Sequence, residues 1–144
     1  MKFDINKLAI TDTAKYHVTD AKGEPQYDDA GNPITITIVS PGTKKAARAQ
    51  FKRDDARSQR VLGSMAGKTS KRTEVDEIAE RAQFLADVTE SLDGFDFPGG
   101  PKALYSELPL GHIADGVEKF FNDRGNFSKD SANSSSNTSG TQPG

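Results

Sequence analysis

The chain has 144 residues, of which 33% are hydrophobic, with a net charge of −2 and a mean hydropathy of −0.68. That suits one domain with a modest core, and it is polar enough that part of the chain is expected to stay outside that core. The absence of cysteine excludes disulfides, thiolate metal sites and cysteine nucleophiles, and no apolar run nears the ~20 residues of a membrane helix; the expectation is a soluble cytoplasmic protein.

The small net charge conceals an asymmetry. From Lys44 to Arg72 there are ten Lys and Arg against two acids, and from Thr73 to Phe127 four against twelve. A basic block followed by an acidic one predicts two segments that attract each other, or two partners of opposite sign.

In chain order, residues 1–13 form a lead-in. Ala14–Thr19 and Ile34–Val39 alternate apolar and polar side chains, the signature of paired strands. Between them lie two turn signals, Ala-Lys-Gly-Glu-Pro and Asp-Asp-Ala-Gly-Asn-Pro, and Gln26–Asp28 is a candidate extra rung. Ser40-Pro41-Gly42 ends the second strand, and Thr43 is the expected N-cap of a basic helix over Lys44–Met65. Its thin apolar stripe is Ala47, Phe51, Leu62 and Met65.

Gly67–Ser70 reads as a linker into the clearest periodic segment, Glu74–Leu92. There Val75, Ile78, Ala82, Leu85, Val88 and Leu92 recur at helical spacing. Phe84 lies about 120° from Ile78 around that helix, outside the stripe, so it either packs on a second element or meets a partner. Phe84→Ala is therefore expected to spare the fold and weaken partner binding, and Leu85→Asp to unfold the chain. Asp93–Pro101 is a turn whose two aromatics, Phe95 and Phe97, are expected under the long helix. A short helix follows from Pro101 to Leu108, then a last one over His112–Arg124 with Ile113, Val117, Phe120 and Phe121 on one side. Ser128–Gly144 has no large apolar residue and is expected to be disordered. The fold class that results is α+β. An N-terminal lead-in and β-hairpin (1–41) precede a mainly helical domain of three to four helices (42–127) and a disordered Ser/Asn/Gly-rich tail (128–144).

The chemistry-bearing residues are sparse. His17 and His112 do not stand in a metal-ligand spacing, and Asp20, Asp28, Asp29 and Asn32 miss the calcium-loop pattern. Gly63-Ser-Met-Ala-Gly67-Lys68-Thr69 falls one residue short of a phosphate loop and follows a helix rather than a strand. No serine sits in a nucleophile elbow. The expectation is a protein that is not an enzyme, with no catalytic residues, metal or cofactor. Lys44, Lys45, Arg48, Lys52, Arg53, Arg57 and Arg60 suit a nucleic-acid-binding helix, but the acidic segment that follows favours pairing within the chain.

Two stretches carry a resemblance. The first is Lys15-Tyr-His-Val-Thr-Asp-Ala-Lys-Gly-Glu-Pro, then Asn32-Pro-Ile-Thr-Ile-Thr-Ile-Val-Ser-Pro41, followed by the basic Lys44-Lys-Ala-Ala-Arg-Ala-Gln50. The second is Phe84-Leu-Ala-Asp-Val-Thr-Glu-Ser-Leu92, then Ala103-Leu-Tyr105, then Ile113 to Phe127 with its Asp123-Arg124-Gly-Asn126-Phe127 end. In order and spacing they resemble the tail assembly chaperones of long non-contractile-tailed bacteriophages, across most of residues 14–127. The resemblance implies a non-enzymatic protein of the host cytoplasm that coats the tape measure protein, keeps it soluble and recruits tail tube subunits. Such genes often carry a programmed frameshift that yields a longer form. The candidate partner-binding residues are Phe84, Phe95, Phe97, Lys44, Arg48 and Lys52. Self-association is an open partner class, no membrane is expected and nucleic acid is disfavoured. The alternatives are a structural virion component, such as a head-tail connector or minor tail protein, and a nucleic-acid-binding module on residues 44–60.

Overall fold

The computed structural model describes residues 4–65 and 74–128. The expected linker at Gly67–Ser70 and the expected disordered tail beyond Ser128 lie outside the described residues. The fold is α+β: a three-stranded antiparallel sheet in the order β1-β2-β3, packed by four α-helices. Among the described residues no helix is long and apolar enough to cross a membrane.

Strands β1 (Thr13–His17) and β2 (Thr35–Val39) pair antiparallel, with Ala14 opposite Ile38 and Tyr16 opposite Ile36. The connection between them is built twice from one pattern, Asp-x-x-Gly-x-Pro, at Asp20/Gly23/Pro25 and eight residues on at Asp28/Gly31/Pro33. Each aspartate Oδ1 accepts two backbone N–H groups of its own turn: Lys22 and Glu24 donate to Asp20, Ala30 and Asn32 to Asp28. Each glycine takes a positive φ (88° and 87°) that a side chain would disfavour. The segments close into a ring in which Val18 N–H donates to Ile34 O, Gln26 N–H to Val18 O and Ile34 N–H to Gln26 O. The extra rung expected at Gln26–Asp28 is the Tyr27–Pro33 bridge.

Helix α1 runs Lys44–Met65 as expected, and the Thr43 hydroxyl accepts the Ala46 N–H as its cap. Its buried face differs from the expected stripe. Ala46 and Ala49 are buried and Arg53 and Ala56 half-buried, whereas Ala47, Phe51 and Leu62 face outward. Small residues win the inward face because they let α1 lie close against its neighbour.

Helix α2 (Glu74–Asp87) is shorter than expected. The segment Thr89–Asp93 is not its last turn but a strand, β3, on the free edge of β2. The Thr89 hydroxyl donates to the Leu85 carbonyl, occupying a terminal acceptor of the helix. The Val39 N–H then takes the Val88 carbonyl into the sheet. Glu90 is the extra residue of a bulge, since Ile38 faces Thr89 and Thr37 faces Ser91. The bulge keeps Val88 and Leu92 turned toward the core, so four-residue apolar spacing is satisfied without helix.

Gly94 (φ 93°) turns the chain into the Phe95–Gly99 loop. Helix α3 (Gly100–Ser106) starts with Pro101 in its first turn, a 3-10 turn spans Leu108–Leu110, and α4 covers Gly111–Asn122. A final 3-10 turn, Arg124–Phe127, buries Phe127 completely. One cluster joins Val18, Ile36 and Ile38 to Leu85, Val88, Leu104, Tyr105, Val117, Phe121 and Phe127. The boundary expected at residue 41 therefore does not separate two cores. Gly116 of α4 lies against the Tyr16 phenol of β1, where a Cβ would overlap the ring, so the helix seats on the sheet only with glycine there.

Candidate interaction surface

Two polar networks tie the elements together around the core. The Asp93 carboxylate of β3 accepts from the Thr35 and Thr37 hydroxyls of β2 (3.1 and 2.6 Å), from Lys15 Nζ of β1 (3.2 Å) and from Ser91 (2.7 Å), tying all three strands on the outer sheet face. Burial pushes the Asp93 carboxyl up, but the hydrogen bonds from Thr37, Ser91, Lys15 and Thr35 outweigh it and hold the carboxyl below its ordinary value.

The second is a ladder of ion pairs that runs from the basic α1 to the acidic segments. Lys45 meets Glu90 (3.9 Å), Lys52 meets Asp87 (3.1 Å), Arg53 meets Glu118 (3.3 Å) and Arg57 meets Glu80 (3.9 Å). Arg81 of α2 adds Asp115 (2.6 Å) and Glu118 (3.6 Å) on α4. The opposite-charge blocks of the sequence thus meet inside one chain. The partly exposed pairs each contribute little; their number and arrangement orient α1 on the acidic helices.

The candidate binding residues divide accordingly. Phe84 is only 3% exposed, which corrects its expected place on a partner surface. Its ring meets Phe121 edge-on at 5.3 Å, and the Arg53 guanidinium lies 5.0 Å from its centroid. The second element on which Phe84 packs is α4, with α1 closing over it. Phe95 and Phe97 are half-buried and pack against the core as expected for that turn. Lys52 is paired within the chain, and only Lys44 and Arg48 of the named cations lie exposed without an ion pair among the described residues. The six residues do not form one patch.

The exposed apolar side chains of the helices lie elsewhere. The outward face of α1 carries Phe51, Val61 and Leu62, which are 72%, 57% and 60% exposed. Around them stand Lys44, Arg48, Asp55 and Ser58, all exposed. Beside the start of α1 lies a groove of about 280 Å³ lined by Pro41, Ala46, Ala47, Gln50, Phe121, Asn122 and Arg124. A smaller apolar crevice of about 180 Å³ sits between α1 and α2 over Ala49, Ala56 and Phe84. The signal available in the sequence was the mismatch on α1 itself: a helix with alanines on one face and a phenylalanine on the other presents the phenylalanine when the close-packing face wins. Such a surface can bind an extended or helical partner through apolar contact edged by charge. Comparison with protein-family models, with known proteins and with solved structures returns no match.

Proposed function

We propose that the protein is a phage tail assembly chaperone that acts in the host cytoplasm without enzymatic activity, binds the tape measure protein and keeps it soluble, and recruits tail tube subunits to it. The observation that carries this reading is the outward face of α1. A helix of 22 residues, anchored through its alanine face and its ion pairs, offers Phe51, Val61 and Leu62 to solvent. That is the surface a long amphipathic helix needs to shield its apolar side, and a thin, charge-edged contact releases it again when the tail is complete. The order of hairpin, basic helix and terminal Asp-Arg-x-Asn-Phe turn supports the same assignment through the family resemblance. The ion-pair ladder weighs against a nucleic-acid role for residues 44–60, because Lys45, Lys52, Arg53 and Arg57 are already engaged by carboxylates.

The test is co-expression with the tape measure protein of the same genome. The expected result is a soluble complex that co-purifies and a chaperone missing from purified particles by mass spectrometry. An insoluble tape measure protein with no co-purification would overturn the assignment, and stoichiometric presence in the virion would favour a structural tail component.

A further inference from the structure

The outward face of α1 has an internal symmetry that the proposed function does not use. In order along the helix it presents Lys44, Arg48, Phe51, Asp55 and Leu62, positions three, four and seven residues apart that share one face. Cations precede the phenylalanine and an acid follows it. Arg48 and Asp55 lie equally far from a point between Phe51 and Lys52. A twofold axis through that point, perpendicular to two antiparallel copies of α1, sets Arg48 of one copy across from Asp55 of the other, and does so twice. The same operation brings the two Phe51 rings together near the axis. It also places Leu62 of the second copy opposite Pro41, at the groove of about 280 Å³ that Ala46, Ala47 and Phe121 line.

We infer that this face is an isologous interface, and that two copies of the chain associate through antiparallel α1 helices. Several independent features agree on that occupant. Phe51 is 72% exposed, Leu62 60%, and a second copy covers both. Arg48 and Asp55 make no ion pair among the described residues, whereas Lys45, Lys52, Arg53 and Arg57 of the same helix do. The charge order on the face is complementary to itself under a twofold, which pairs Arg48 with Asp55 twice, whereas an in-register parallel pair would set Arg48 against Arg48. A single helix pair is a small interface, so the dimer is in concentration-dependent exchange with monomer and weakens as salt rises. The inference does not rest on the chaperone assignment; because both occupants use Phe51 and Leu62, a second copy and the tape measure protein exclude each other on this face, and the dimer is the client-free form.

The test measures the mass of the full chain by sedimentation across a concentration series, for the native protein, Arg48→Asp, Asp55→Lys and an equimolar mixture of the two variants. Both substitutions lie on an exposed helix face, and circular dichroism checks that each variant keeps its fold. The native chain is expected to move from monomer to dimer. Each variant alone juxtaposes like charges and should dissociate at least about tenfold more readily. The mixture should recover the dimer, because the Arg48→Asp copy presents two acids to the two bases of the Asp55→Lys copy. A native chain that is monomeric throughout, or a dimer indifferent to both substitutions, or a mixture that fails to recover, would overturn the interface. A monomer that still solubilises the tape measure protein overturns this inference and leaves the chaperone reading in place; a dimer that recovers on mixing but binds no tape measure does the reverse.

Discussion

Phe84 and Tyr105 show how single side chains carry this fold. The Phe84 ring fills the space between α1, α2 and α4, against Phe121 and under Arg53. Phe84→Ala is therefore expected to cost about 3–5 kcal/mol of folding free energy, read from the shift of a urea midpoint at constant slope. A loss below about 1 kcal/mol would mean that the ring is not part of the core. Tyr105 is 1% exposed, and its hydroxyl lies 2.7 Å from that of Thr89, at the junction of α2 and β3. Burial pushes its phenol up to about 12, against a smaller downward pull from the bond to Thr89. The unfolded phenol titrates near 10, so the folded value is the higher one. Its contribution to stability is then complete below about pH 10 and lost as pH rises toward 12. Tyr105→Phe should cost about 1 kcal/mol at neutral pH and remove that alkaline slope. Parallel stability curves for the two proteins between about pH 9 and 12 would contradict the assignment of the slope to Tyr105.

Among the elements, α1 and β3 show what was legible in the sequence. The bounds of α1, its Thr43 cap and its pairing with acids of its own chain follow from local signals, because capping and charge blocks act at short range or without fine geometry. Which face of α1 turns inward does not follow. Hydrophobicity names Phe51 and Leu62, but close approach to α2 selects Ala46 and Ala49, and that depends on a neighbour the periodicity of α1 cannot reveal. For β3 the failure is of another kind. Val88 and Leu92 stand at helical spacing, and only the unpaired edge of β2 together with a bulge at Glu90 turns that segment into strand. The Asp93 cluster, which joins Lys15, Thr35, Thr37 and Ser91 across 78 residues of sequence, was invisible for the same reason. The contrast between the two faces of α1 gives a direct check. Ala49→Leu should overpack the contact with α2 and cost about 1–3 kcal/mol, while Phe51→Ala should change stability by less than about 0.5 kcal/mol. Equal losses in thermal or urea denaturation would place Phe51 in the core.

At the scale of the whole molecule, one core serves hairpin and helices alike, and the ion-pair ladder orients α1 with its alanine face inward. What is left outward is a helix face with apolar anchors and a basic-to-acidic charge order. That division of labour makes the surface of α1 separable from stability, so the proposed binding face can be altered without unfolding. The most direct measurement is the fraction of tape measure protein recovered in the soluble complex when it is co-expressed with the native chain and with Phe51→Asp. The native chain is expected to keep it soluble, and Phe51→Asp, with an unchanged denaturation midpoint, to lose most of that recovery. Full recovery with the folded Phe51→Asp variant would contradict the claim that the outward face of α1 binds the partner.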